Sequence, residues 1–111
     1  MAVVKRTHMC GEVLPTEIGQ KVVLKGWVQR SRNLGGLIFV WLRDRTGIVQ
    51  AVFDSTSLPA GTFALAESLR GEYVVTITGE VRRRAVDAVN DKMKTGEVEV
   101  IADGLAVLNS S

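Results

Sequence analysis

The first half of the chain alternates between apolar and polar positions in short segments that are separated by turn residues. Segments 21–32, 37–43 and 48–53 are rich in β-branched and aromatic residues, which is typical of β-strands. The paired glycines in 33–36 and the sequence Asp-Arg-Thr-Gly at 44–47 favour tight turns. The three strands are therefore predicted to form an antiparallel meander.

The second half of the chain changes to a helical pattern and then returns to strands. Within 58–69, apolar residues recur at intervals of three, which predicts a helix that stops at 70–71. Further along, the pattern predicts a fourth strand at 72–84, a polar loop at 85–96 and a last, interrupted strand at 98–102 and 105–108. Five strands with one helix between the third and the fourth is the element order of an OB-fold, an all-β, five-stranded Greek-key barrel.

Length and glycine placement agree with such a barrel. Gly26 and Gly79 lie inside predicted strands, where a small closed barrel needs sharp bends. A chain of 111 residues favours a single domain over residues 1–111, with one core that needs neither a metal nor a disulfide.

The sequence offers few candidates for catalytic, disulfide-forming or metal-binding residues. The chain contains one cysteine and one histidine, Cys10 and His8, so an internal disulfide is impossible and a zinc site is not expected. Cys10 is predicted to be a core thiol beside a surface imidazole. No nucleophile is paired with a base in the sequence, so no catalytic residue, metal or cofactor is expected. The first ten residues lack the apolar region of a signal peptide, and a cytoplasmic location is expected.

The distribution of charge is more informative than the net charge of +2. Between positions 30 and 45 there are four arginines and one acid, and between 82 and 94 there are five basic residues and two acids. Seven of these nine bases are arginine, which suits bidentate phosphate recognition and stacking on bases. Charged stretches usually only solvate a surface, so a binding role depends on whether the two segments meet in the fold.

The second predicted strand carries aromatic residues on its outer face. Side chains alternate along a strand, so one face of 37–43 is aliphatic and the other carries Phe39, Trp41 and Arg43. Aromatic side chains among arginines are typical of surfaces that bind single-stranded nucleic acid. The alternative is that a helix or loop covers Phe39 and Trp41 and forms a second small core.

Two polar residues on neighbouring strands are candidates for reading bases. Gln50 is the polar member of its strand face, and its amide offers both a donor and an acceptor. Glu99 alternates with Val98 and Val100, so its side chain is predicted to point away from the core. A carboxylate would repel phosphates, which favours a contact with the N1–H and N2–H edge of guanine. The alternative for both residues is an ordinary solvent-facing position.

Several sequence blocks occur together and in order. They are Arg-Thr-His-x-Cys-Gly at 6–11, Gly-Trp-Val at 26–28, the run from Arg30 to Phe39, Leu-Arg-Asp-Arg at 42–45, Gly-Ile-Val-Gln at 47–50 and Thr-Gly-Glu-Val-Glu-Val at 95–100. In this combination the chain resembles the N-terminal anticodon-binding domain of bacterial-type aspartyl-tRNA synthetases. The resemblance covers roughly residues 5–109.

The resemblance implies an OB-fold that binds the anticodon loop of aspartate tRNA. In the family the aromatic residue at Phe39 stacks on the middle anticodon base, and the glutamine at Gln50 reads the same uridine. The glutamate at Glu99 reads the first base, guanine or queuosine. Arg32 and Arg84 are expected to contact the loop. Further contacts are expected from Arg30, Arg82 and Asn90.

The chain departs from the family pattern at Trp41, where the family usually has aspartate. An exposed tryptophan beside Phe39 would either add a stacking surface or block one. The resemblance also implies a parent enzyme, a homodimeric class II ligase whose catalytic domain uses ATP and Mg²⁺ and is absent from this chain. The chain alone is therefore expected to be a monomeric binding module without a cofactor, a metal or a membrane partner.

Two other functions remain open from the sequence. One is an OB-fold protein that binds single-stranded nucleic acid without regard to base identity. The other is an OB scaffold that binds a protein partner, for which Trp41 is the one hint, since tryptophan is enriched at interface hot spots.

Overall fold

The computed structural model describes residues 5–110, and its strands close into a five-stranded barrel. The strands are β1 (Lys21–Leu34), β2 (Leu37–Asp44), β3 (Gly47–Asp54), β4 (Val74–Arg83) and β5 (Val98–Asn109). One helix, α1 (Ala60–Glu67), lies between β3 and β4, and single turns of 3₁₀-helix occur at Cys10–Glu12, Pro15–Glu17 and Val86–Ala88. The predicted OB-fold, with its helix between the third and fourth strands, is confirmed.

The order of strands around the barrel is β1-β2-β3-β5-β4. Neighbouring strands are antiparallel, including the predicted meander of β1, β2 and β3, except that β3 and β5 run parallel. That parallel pair closes the barrel and brings residues near position 50 beside residues near position 100. Within residues 5–110, no helix has the length and apolar character needed to cross a bilayer.

The core fills the inside of the barrel with the aliphatic face of each strand. Its largest fully buried side chains include Phe53, Leu24, Ile38, Leu42 and Ile77. From the helical pattern, Ala66 and Leu69 are buried and Phe63 packs against the core. The helix itself is shorter than the predicted 58–69, because Pro59 precedes its first turn and the chain leaves helical geometry after Ser68.

The two strand glycines lie where the backbone of a neighbouring strand approaches closely. A Cβ atom on Gly26 would come within 2.3 Å of the carbonyl oxygen of Arg43, and a Cβ atom on Gly79 within 2.3 Å of that of Ile101. Only glycine can occupy such positions. The structure therefore supports the prediction that these residues let the barrel turn its corners.

The last strand differs from the sequence prediction. β5 is continuous from Val98 to Asn109, whereas the sequence predicted an interruption at 103–104. Asp103, in the predicted gap, accepts a hydrogen bond from Thr78 on β4 at 2.7 Å and pairs with Lys21 on β1, so its polar side chain is satisfied within the barrel. At this point the pairing of β5 with β4 shifts in register, between Thr78 and Gly79.

The 3₁₀ turn at Cys10–Glu12 packs against β1, β2 and β3. Cys10 is fully buried, as predicted for a core thiol, and burial together with the nearby Asp44 carboxylate raises the pKa of that thiol. His8 is half-buried rather than a free surface imidazole, because its Nε2 bonds to the carboxylate of Glu17.

Candidate nucleic-acid interface

One row of side chains crosses the outer face of the barrel over all five strands. Arg30 on β1 lies opposite Trp41 on β2, and Trp41 lies opposite Gln50 on β3. The amide of Gln50 donates a hydrogen bond to Glu99 on β5 at 3.0 Å, and Glu99 lies opposite Arg82 on β4. The row is therefore cationic at both ends and carries aromatic, amide and carboxylate groups between them.

A cleft of about 230 Å³ opens over the first half of this row. Its lining residues are Arg30, Arg32, Leu34, Phe39, Trp41, Gln50, Arg84 and Ala88. The two arginine-rich segments of the sequence meet here, since Arg30 and Arg32 come from β1 and Arg84 follows β4. The condition that the sequence left open, that these segments lie close together in space, is thus met.

The alternation along β2 explains why the aromatic residues face this cleft. Ile38, Val40 and Leu42 are buried in the core, so the residues between them point outwards. Phe39 and Trp41 are half-buried in the cleft wall. They line a depression that opens to the outside and do not form the closed second core that the sequence allowed as an alternative.

The polar groups of the cleft are already hydrogen-bonded to one another. The indole Nε1–H of Trp41 donates to Oε1 of Gln50 at 3.1 Å, and Nε2 of Gln50 donates to Oε1 of Glu99. The guanidinium of Arg30 lies 5.5 Å from the centroid of the Trp41 ring, within the range of a cation–π contact. Since a primary amide has two donors and two lone pairs, Gln50 keeps one of each for a ligand.

Arg84 has a mainly structural position beneath the cleft. It is 5% exposed, and its Nε–H donates to the carbonyl oxygen of Val98 at 3.0 Å. Its remaining contacts are with the carbonyl oxygen of Ala88 and the sulfur of Met93. Burial lowers the pKa of Arg84, while the Glu99 carboxylate opposes that shift. Arg84 therefore anchors the β4–β5 loop and presents only part of its guanidinium to the cleft.

The structure places three of the predicted contact residues outside the lining of the cleft: Glu99, Asn90 and Arg82. Glu99 is linked to the lining by its hydrogen bond from Gln50. Asn90 uses its side-chain oxygen to accept a hydrogen bond from the backbone N–H of Lys92 at 3.0 Å, which shapes the loop. Arg82 is exposed at the far end of the row, beside Glu99. Conversely, Leu34 and Ala88 line the cleft without having been singled out from the sequence, and neither side chain carries a chemical signal that would have marked it.

A second, smaller depression of about 190 Å³ continues the outer face towards the β2–β3 turn. Its cationic residues are Arg43, Lys92 and Lys94, and Ile48 and Met93 supply apolar surface. Arg43 follows Trp41 by two residues on the same face of β2, which is a distance of about 7 Å along the strand. The sequence marked these bases as part of two clusters but could not show that they converge.

Comparison with known proteins places these features in a family. Residues 22–108 match the family described as the OB-fold nucleic acid binding domain. The aspartate–tRNA ligase of Listeria monocytogenes serotype 4b is 53% identical over 107 residues, which are 96% of this chain and 18% of that protein. The aspartate–tRNA(Asp/Asn) ligase of Thermoanaerobacter pseudethanolicus is 50% identical over the same share of each chain. The chain thus spans less than a fifth of the length of these relatives.

Solved structures show the same fold. The asparaginyl-tRNA synthetase from Pyrococcus horikoshii superimposes with a TM-score of 0.81 at 34% identity, over 98% of this chain and 23% of that one. An OBody, AM2EP06, bound to hen egg-white lysozyme, superimposes with a TM-score of 0.84 at 25% identity over the whole of both chains.

Proposed function

The chain belongs to the family of OB-fold nucleic acid binding domains and corresponds to the anticodon-binding domain of aspartyl-tRNA synthetases, and we propose that its cleft recognises the anticodon loop of aspartate tRNA. The observation that carries this proposal is the convergence in one cleft of Arg30, Arg32 and Arg84 with Phe39 and the amide of Gln50. Such a cleft offers cations for the backbone, a ring for stacking and a polar group for a base edge.

The proposal assigns a separate role in base recognition to Phe39, Gln50 and Glu99. Phe39 supplies the surface on which the middle base stacks, worth roughly 1–3 kcal/mol for a base on an aromatic ring. Gln50 offers its free donor and acceptor to the edge of uridine, and Glu99 accepts hydrogen bonds from the first base, guanine or queuosine. Because Gln50 and Glu99 lie on adjacent strands and share a hydrogen bond, they suit two successive bases.

The cations position the loop. Arg30 and Arg32 at the mouth of the cleft face the phosphates, with Arg82 at the other end of the row. Arg84 contributes with the part of its guanidinium that reaches the cleft. Asn90 contributes through the shape of the loop that it stabilises.

In the relatives, such a domain forms only part of a longer protein. We assign the catalytic activity to that whole protein and not to this domain. Those relatives are named aspartate–tRNA ligases. We assign the attachment of aspartate, the use of ATP and Mg²⁺, and dimer formation to the remainder of such a protein, acting in the cytoplasm. The present residues supply recognition as a monomeric module, without a cofactor or metal of their own and without a membrane partner.

Titration with RNA stem-loops tests the proposal. The domain is mixed with a stem-loop that carries the anticodon GUC and, in parallel, with one that carries GCC, at two salt concentrations, and tryptophan emission is followed. We expect binding to GUC to be tighter by about tenfold or more at both salt concentrations. Equal and strongly salt-dependent binding would instead favour a non-specific single-strand binder, and binding to neither RNA would favour a protein-binding scaffold.

The second depression gives a prediction about salt dependence. The double variant Lys92→Gln, Lys94→Gln should weaken binding to the GUC and GCC stem-loops by the same factor, because cations that face phosphates carry no base information. The logarithm of the association constant falls linearly with the logarithm of the salt concentration, and the magnitude of this slope should decrease by about 0.7 for each single-strand phosphate contact that is lost.

The matched control for this variant is Lys5→Gln, Lys25→Gln, which removes the same charge outside both depressions. It should leave the salt slope close to that of the wild type. A loss of affinity that differs between the two anticodons would contradict the assignment of Lys92 and Lys94 to the backbone.

A further inference from the structure

We propose that Trp41 is a positioning residue that holds the Gln50 amide in one orientation and thereby sets which base the cleft accepts. This inference rests on the proposed function and adds to it a residue that determines specificity. The sequence left two roles open for Trp41, an added stacking surface or an obstruction. Its contacts favour neither of them.

Two hydrogen bonds determine the orientation of the Gln50 amide. Trp41 Nε1–H can only donate, and it lies 3.1 Å from Oε1 of Gln50. The Glu99 carboxylate lies 3.0 Å from Nε2 on the other side. If the amide turned over, its NH₂ group would face the indole donor and its oxygen would face the carboxylate. Both contacts would become repulsive, so only one orientation is stable.

Arg30 holds the indole in place and occupies one of its faces. Its guanidinium lies 5.5 Å from the ring centroid, and Arg30 and Trp41 are directly paired across β1 and β2. The ring face under this guanidinium is covered by a cation, so it does not serve as a platform for a base. Phe39, two residues earlier on the same face of β2, remains for stacking.

A fixed amide distinguishes uracil from cytosine. Uracil presents an N3–H donor beside carbonyl acceptors, whereas cytosine presents an N3 acceptor beside an amino donor. With the positions of Oε1 and Nε2 determined, the amide complements the uracil edge and opposes the cytosine edge. An amide that was free to turn would complement either base. Discrimination at the middle position therefore depends on the two hydrogen bonds that hold the amide, and Trp41 donates the one that fixes its oxygen.

The test is the variant Trp41→Phe, which keeps an aromatic ring under Arg30 and removes the indole donor. Dissociation constants for GUC and GCC stem-loops that carry a fluorescent label are measured at one salt concentration. We expect the ratio of the two constants to fall by about fivefold, the effect of losing one hydrogen bond, with most of the change at the unfavoured base. The matched control is Trp27→Phe, an exposed residue outside the cleft, which should keep the wild-type ratio.

A second readout uses the wild-type domain and therefore does not depend on the stability of Trp41→Phe. In the wild-type domain without RNA, the indole N–H of Trp41 should exchange with solvent more slowly than that of Trp27, and the variant Gln50→Ala should remove this difference. Equal exchange of the two indole protons in the wild type would overturn the inference. So would a Trp41→Phe domain that is folded and keeps the full ratio, and in that case anticodon recognition itself would stand. If the wild type fails to prefer GUC over GCC, both the proposed function and this inference fail.

Discussion

Replacing Gln50 with alanine should bring the affinities of the domain for GUC and GCC stem-loops close to one another. The variant removes the donor and acceptor that face the middle base, while Phe39 and the arginines remain. The affinity that is lost is that for the GUC stem-loop, because only its uridine forms hydrogen bonds with the Gln50 amide. Leaving polar groups of a base unpaired in a partly desolvated cleft costs about 1–3 kcal/mol, which corresponds to a five- to 150-fold loss of selectivity.

Competition between labelled GUC and unlabelled GCC stem-loops measures this change directly. The matched control is Gln20→Ala, which removes an exposed glutamine that precedes β1 and lies outside the cleft. It should keep both affinities. Equal weakening towards both RNAs by Gln50→Ala would show that Gln50 contributes affinity without reading the base.

The variant Asp44→Ala should lower the free energy of unfolding by about 2–4 kcal/mol, because it removes a buried acceptor of three hydrogen bonds. Asp44, 6% exposed at the end of β2, accepts bonds from the N–H of Cys10 at 2.7 Å and from the N–H and hydroxyl of Thr46 at 2.8 and 2.5 Å. These bonds attach the N-terminal segment to the β2–β3 turn. Thermal unfolding should show a fall in Tm of roughly 10–20 °C.

Asp54 is a matched control because it has the same local motif in an exposed turn. It accepts hydrogen bonds from the N–H and hydroxyl of Thr56 at 2.9 and 2.8 Å, without a partner corresponding to Cys10. Asp54→Ala should therefore cost less stability than Asp44→Ala. Equal losses in the two variants would show that the bond to Cys10 contributes nothing.

The pH dependence of stability provides a check on the same residue. Burial alone would raise the pKa of Asp44, but the hydrogen bonds from Thr46 and Cys10 outweigh it and hold the pKa below its usual value. A carboxyl whose pKa is lower in the folded state stabilises the fold above the unfolded value of about 3.9, and this contribution is lost as the pH falls further. The stability difference between the wild type and Asp44→Ala should thus narrow below about pH 4.

Much of the fold could be predicted because its signals are local. A period of two along 37–43 is enough to assign one face to the core and the other to the outside, and the burial of Ile38, Val40 and Leu42 confirms it. The exception is β5, which continues through 103–104 where an interruption was predicted, although its register with β4 shifts there. The strand continues through Asp103 because the carboxylate of that residue is paired with Lys21 on β1 and hydrogen-bonded by Thr78 on β4, both distant in the sequence.

Most polar and aromatic residues of the candidate site could be predicted from the sequence, but Leu34 and Ala88 could not, and neither could the contacts among the residues. Resemblance and alternation both pointed to Phe39, Gln50 and Glu99, and the structure brings these residues to one face. Nothing in the sequence showed that Arg84 is buried, since its partners Val98 and Ala88 become neighbours only when the loop folds back. The contribution of each residue to RNA binding remains a prediction for the titrations above.

The sequence by itself determined the elements, the face of each strand that is buried and the concentration of arginine in two segments, because these properties depend on residues that are near one another along the chain. Only the tertiary structure decided that the two segments share a cleft, and that Trp41, Gln50 and Glu99 form one hydrogen-bonded row. The physical reason is barrel closure. The parallel pairing of β3 with β5 brings together Gln50 and Glu99, which are 49 positions apart in the chain, and no local pattern records that contact.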